Sequence, residues 1–97
     1  VSVKLSQIKI TKVFTIKNRL GLHARAAAVF VRLSSKFESE IKLVKDSYEV
    51  NGKSILGVLS LAATKGSEIE VTTTGGDAEA AINDIEELIE SGFGEGV

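Results

Sequence analysis

A chain of 97 residues, 43% hydrophobic and 26% charged, has the make-up of one globular domain with a modest core; with no cysteine and one histidine it excludes disulfides and thiolate metal sites and argues against a histidine zinc centre. No apolar run approaches the ~20 residues needed to span a bilayer, and "VSVKLSQIKI" lacks the long apolar stretch of a signal peptide, so a cytoplasmic location is expected. The net charge of −1 hides a split: residues 1–54 hold 11 Lys and Arg against 4 Asp and Glu (+7), and residues 55–97 hold 1 Lys against 9 acids (−8), a balance too low overall for a nucleic-acid binder but suited to steering a phosphate or an acidic protein partner.

In chain order, Ile8, Ile10, Phe14 and Ile16 alternate with mostly polar neighbours and predict a half-buried strand. "NRLG" (18–21) ends it. Residues 24–36 predict a helix, with Ala27, Phe30 and Val31 on one face and Lys36 near its negative pole. Ile41 and Leu43 mark a second strand and Val50 a third, joined by a hairpin turn at "KDS" (45–47). "NG" (51–52) is another turn signal, followed by a short helix with Ser54 as N-cap, running to about Ala63 and stopped at Gly66. Ile69 and Val71 predict a fourth strand. Gly75-Gly76 break it, and Asp77 is placed to cap a last helix with the apolar stripe Ala78, Ala81, Ile82, Ile85, Leu88 and Ile89. Glu79, Glu86, Glu87 and Glu90 cover its outer side. Gly92 then fits a left-handed stop, with Phe93 placed for a Schellman contact back to Leu88. The order β-α-β-β-α-β-α predicts an α+β open-faced sandwich: a four-stranded antiparallel sheet with three helices on one face.

Three places could carry chemistry. His23 stands at the start of the first helix, where free N–H groups and the dipole favour an anion. A neutral imidazole there is a nucleophile that can accept a phosphoryl group, with Arg25 pairing with the phosphate oxygens. Taken alone, the same residue reads more readily as an ordinary helix cap or surface group. In the short helix, Ile55, Leu56 and Leu59 occupy one sector and Val58, Leu61 and Ala62 another. Only one sector is needed for the core, so the other marks a surface for a partner, a dimer mate or the N-terminal segment. Ser54 reads as a plain N-cap or as a phosphorylation site, because phosphate is favourable at a helix start. No serine, cysteine or carboxylate stands at recognisable spacing from His23, which argues against a hydrolase.

Taken together, "GLHARAAAVFV" (21–31) and "NGKSILGVLSLAATKGSEIEV" (51–71) resemble the HPr family, the histidine-containing phosphocarriers of the bacterial phosphoenolpyruvate-dependent sugar phosphotransferase system. The resemblance covers about residues 12–95 and makes 1–97 a single HPr-like domain, with residues 1–8 an N-terminal extension. It implies a stoichiometric carrier, without cofactor or metal, that takes a phosphoryl group from phosphorylated enzyme I on Nδ1 of His23 and hands it to IIA domains of sugar permeases. Arg25 would be the site arginine and Ser54 the serine modified by a dedicated kinase and restored by a phosphorylase. Lys53, Ile55, Leu56 and Leu59, with Arg25, would contact partners. The implied carrier is a monomer that meets membrane permeases only through protein contacts. A regulatory module governed by Ser54, and a carrier of the nitrogen-related branch, are the alternatives. One departure stands out: the family usually has proline after the arginine, and this chain has Ala26. Alanine gives up the fixed φ of proline and adds an N–H, which predicts a small stability change without loss of chemistry.

Overall fold

The computed structural model describes residues 8–96. Seven elements follow in order: β1 (Lys9–Thr15), α1 (Ala24–Ser34), β2 (Glu40–Lys45), β3 (Tyr48–Asn51), α2 (Ile55–Ser60), β4 (Glu68–Thr74) and α3 (Ala78–Glu90). The strands form one sheet in the order β1-β4-β2-β3, every neighbouring pair antiparallel. The predicted element order and fold class are therefore those observed. Among the described residues, no helix is long and apolar enough to cross a membrane.

Alternation decides which side of the sheet is covered. Phe14, Ile41, Leu43, Ile69 and Val71 are buried against the helices. Their neighbours in sequence point to water, where the hydroxyls of Thr11 and Thr72 pair at 2.9 Å and Lys42 sits between Glu40 (3.7 Å) and Glu49 (3.5 Å). Such exposed ion pairs contribute about 0–1 kcal/mol and follow the fold rather than define it. Phe30 from α1, Val58 from α2, and Ile82, Ile85 and Ile89 from α3 complete the core. The β2–β3 hairpin closes with Asp46 (φ 50°) and Ser47 (φ 68°), the paired positive φ values of a turn whose twist matches the strands.

Four boundaries differ from the sequence reading. Ile8 precedes β1 and is exposed; its carbonyl accepts the Gly75 N–H (2.9 Å), and the core contacts of this segment begin at Ile10. Helix α1 ends at Ser34 rather than residue 36, because Lys36 and Phe37 donate to carbonyls three residues back in a tightened turn. Helix α2 ends at Ser60 rather than near Ala63. Ala62 takes a left-handed φ of 50° and turns into solvent, so the buried sector of α2 is Val58 and Leu61. Gly66, expected to stop α2, lies in the loop beyond and donates its N–H to Ile16.

The ends of α3 divide in the same way. Its C-terminus is as expected: Gly92 adopts φ 68° and the Phe93 N–H donates to the Leu88 carbonyl at 2.8 Å. At its N-terminus Asp77 occupies the cap position without a side-chain capping bond. Its carboxylate instead accepts the N–H groups of Glu38 and Ser39 (2.9 Å each) and the Ser39 hydroxyl, holding the α1–β2 loop to the start of α3. The predicted N-terminal extension, residues 1–8, lies outside the described residues except for Ile8.

Candidate functional site

The loop between β1 and α1 is built to present His23. Asn18 is fully buried; its backbone carbonyl accepts the Gly21 N–H (3.1 Å), and its side-chain amide donates to the Gly21 carbonyl (2.8 Å). Gly21 takes φ 68°, and a Cβ there would lie 2.4 Å from the Ala63 carbonyl oxygen, so only glycine fits. The Leu22 N–H donates to that same carbonyl at 2.9 Å. The early exit of the chain from α2 thus has a purpose in the fold: it supplies the acceptor on which the His23 loop rests.

His23 is the N-cap of α1 by backbone conformation (φ −77°, ψ −179°), and its imidazole makes no capping bond. The first helical bond runs from the Ala27 N–H to the His23 carbonyl (2.9 Å). The N–H groups of Ala24, Arg25 and Ala26 therefore have no carbonyl within the helix. They lie at the positive end of the helix dipole, which favours an anion beside the imidazole.

A cleft opens here, lined by Arg19, Leu20, His23, Ala24, Arg25, Glu95 and Gly96. Two arginines and a helix start line it together with one carboxylate, an arrangement suited to binding phosphate. Glu95 comes from the tail after α3, which turns back through Gly92, Phe93 and Gly94 at positive φ. Phe93 is buried and anchors the turn. One oxygen of Glu95 lies 2.6 Å from His23 Nε2, and the other accepts from the Asn18 amide at 3.0 Å. These contacts hold the Glu95 carboxyl below the usual range. The Asn18 hydrogen bond lowers it most, and partial desolvation opposes the shift; the His23 hydrogen bond and the charges of His23 and Arg25 add to it.

His23 and Arg25 are thus brought together on one cleft. The other expected site residues lie on or before α2, which packs beside α1, and none of them lines that cleft. Ser54 is the N-cap of α2, its hydroxyl accepting the Gly57 N–H at 3.1 Å. Ile55 and Leu56 are exposed, Leu56 at 76%, while Leu59 is half-buried against the core. The Lys53 ammonium is turned inward and donates to the Phe37 carbonyl at 2.5 Å. Among the described residues, no group of acids and histidines is placed to hold a metal ion.

Sequence reasoning missed Glu95, Asn18, Arg19 and Leu20. It found no carboxylate at recognisable spacing from His23; the fold brings one from 72 positions away. The one signal available was an acid set between glycines after a buried aromatic, in "GFGEG" (92–96).

Comparison with known proteins agrees with this geometry. Residues 10–91 match the family model described as "PTS HPr component phosphorylation site". The phosphocarrier protein HPr of Treponema pallidum is 45% identical over 86 residues, which cover 89% of this chain and 98% of the relative. That of Neisseria meningitidis serogroup A is 48% identical over 81 residues, 84% of this chain and 91% of the relative. The crystal structure of an HPr from Thermoanaerobacter tengcongensis superposes with a TM-score of 0.87 at 45% identity, covering 91% of this chain and 99% of that one. A family match over a span that contains both motifs, shared topology and a cleft built around His23 all lead to one assignment: the chain belongs to the HPr family of phosphocarrier proteins of the phosphotransferase system.

Proposed function

We propose that this chain relays a phosphoryl group from phosphorylated enzyme I to IIA domains of sugar permeases, through Nδ1 of His23. The observation that carries the reading is the position of His23: at the start of α1, with Arg19 and Arg25 on the same cleft, inside the segment matched to a phosphorylation-site family. The free N–H groups of the exposed Ala24 and Arg25 and the Arg25 guanidinium supply donors for phosphate oxygens. The exposed Ile55 and Leu56 offer an apolar docking surface on α2, which packs against α1. The carrier works in the cytoplasm as a monomer and reaches the membrane only through its protein partners.

Ser54 is the proposed regulatory site. Its hydroxyl already occupies the start of α2, so a kinase-added phosphate would be tolerated by that helix. Roughly two negative charges would then stand beside Ile55 and Leu56 and weaken docking of an acidic partner, until a phosphorylase removes them.

Incubation with phosphoenolpyruvate and enzyme I is expected to add one phosphoryl group per chain, acid-labile and alkali-stable, and absent in His23→Ala. A group of the same lability that persists in His23→Ala would overturn the assignment. Mass gain at Ser54 with ATP and a cognate kinase tests the regulatory site separately.

A further inference from the structure

Resting on the reading of His23 as phosphoryl acceptor, we propose that Glu95 and Asn18 are positioning residues for that reaction: the buried Asn18 amide holds the Glu95 carboxylate against Nε2 of His23, leaving Nδ1 as the nucleophile. The contacts form a line from the interior to the ring. Asn18 is fully buried, and its amide is shared between the Gly21 carbonyl at 2.8 Å and Glu95 at 3.0 Å. The other oxygen of Glu95 lies 2.6 Å from Nε2. A carboxylate only accepts hydrogen bonds, so the proton in this contact is on Nε2. In the neutral form of the ring, the form that can attack, the lone pair is then on Nδ1.

The chemistry gives this contact more than an orienting role. The Nδ1 lone pair forms the new N–P bond as the bond between phosphorus and the donor protein breaks, its electron pair leaving with the donor. The Nε2 proton stays on the ring throughout. A neutral imidazole thereby becomes a cationic N-phosphoimidazole, and positive charge grows on the ring as the bond forms. The Glu95 carboxylate faces that charge, already oriented by Asn18, and stabilises the transition state more than the resting site. Return of the phosphoryl group to an acceptor reverses the same steps.

The tail provides the rigidity such a role requires. Gly92 turns the chain at the end of α3, and the buried Phe93 fixes the start of the tail two residues before Glu95. Arg25 lines the same cleft and lowers the Glu95 carboxyl through its charge. In the resting protein Glu95 is thus an anion beside Arg25, the residue that pairs with the incoming phosphate.

The test uses the whole chain as wild type, Glu95→Gln, Glu95→Ala and Asn18→Ala. Rapid-quench measurement of phosphoryl uptake from phosphorylated enzyme I is expected to show about a tenfold loss of rate in Glu95→Ala. A smaller loss is expected in Glu95→Gln, which keeps an acceptor oxygen but no charge. Asn18→Ala should slow the wild type but change little when added to Glu95→Ala, since both act through one contact. Nitrogen-15 spectra of the unphosphorylated imidazole supply a readout that loss of folding alone would not mimic. The wild type should show a protonated, hydrogen-bonded Nε2, and Glu95→Ala should lose that hydrogen-bond shift with the remaining amide spectrum unchanged. Wild-type rates and an unchanged Nε2 signal in both Glu95 variants would overturn the proposal while leaving His23 as acceptor. Failure of the wild type to take up phosphate at His23 would instead remove the reading on which it rests.

Discussion

Ala26 is a residue-scale feature with opposing consequences. It stands where the family usually has proline, is fully buried, and its N–H has no acceptor within α1. Proline there would remove an unpaired buried donor and restrict the unfolded chain. Ala26→Pro is expected to raise stability by about 0.4–1 kcal/mol, measured by urea denaturation, with uptake at His23 still one group per chain. A loss of stability would show that Arg25 cannot keep its helical backbone ahead of a proline. The same scale shows why His23 was ambiguous in the sequence. A histidine at a helix start is compatible with a cap, and only the structure shows that its imidazole makes no capping bond and faces Glu95 instead.

At the scale of elements, α2 has two sides in six residues. Val58 is its buried anchor and Leu61 the buried residue at its end, while Ile55 and Leu56 remain outside. Helical spacing made this much legible in the sequence, but it put Leu59 outside and Ala62 inside, whereas Leu59 packs against the core and Ala62 turns to solvent beyond the helix. The exit of α2 was not legible. A helix of this length gains little from its own hydrogen bonds. The chain leaves it at Ala62 so that the Ala63 carbonyl can receive the Leu22 N–H, a contact made outside the helix. Because α2 is short, its cap matters. Ser54→Ala is expected to cost about 1 kcal/mol, seen as a lower denaturation midpoint, and hydrogen exchange should quicken at Gly57, whose N–H loses its acceptor. No change at Gly57 would show that the cap contributes nothing.

Across the whole molecule, distant segments are held by a few polar contacts around the apolar core. The basic first half and acidic second half do not simply form two faces. Lys12 and Lys17, on and after β1, reach Glu86 and Glu90 of α3, because α3 packs across β1 and β4. Part of the charge split is thereby cancelled, while Arg19 and Arg25 remain on the cleft. Asp77 is the second such tie. The Ser39 hydroxyl, followed by the Glu38 and Ser39 N–H groups, holds its carboxyl below the ordinary value. A depressed carboxyl favours the folded state fully above the unfolded pKa of about 3.9 and loses that contribution as pH falls through the lower folded value. Asp77→Asn should therefore lower the denaturation midpoint at neutral pH, and the gap to wild type should close as the pH drops below about 4. A gap independent of pH would show that packing, not the charged hydrogen bonds, sets the effect.

The sequence by itself determined what depends on near neighbours. Alternation gave the strands, helical spacing gave the faces of α1 and α3 and the inner Val58 and outer Ile55 and Leu56 of α2, and turn chemistry gave the hairpin at Asp46-Ser47 and the stop at Gly92. These signals reach about one helical turn, which is the range over which backbone preferences and caps act. The family motifs likewise singled out His23, Arg25 and Ser54 as candidates without any knowledge of their surroundings. Tertiary structure decided the rest: that Asp77 ties a loop instead of capping, that Lys53 turns inward, and that Asn18 and Glu95 converge on His23. Such contacts join positions 16 to 77 residues apart. They exist only once the sheet order and the helix layer have fixed which chain ends meet, and no local periodicity encodes that.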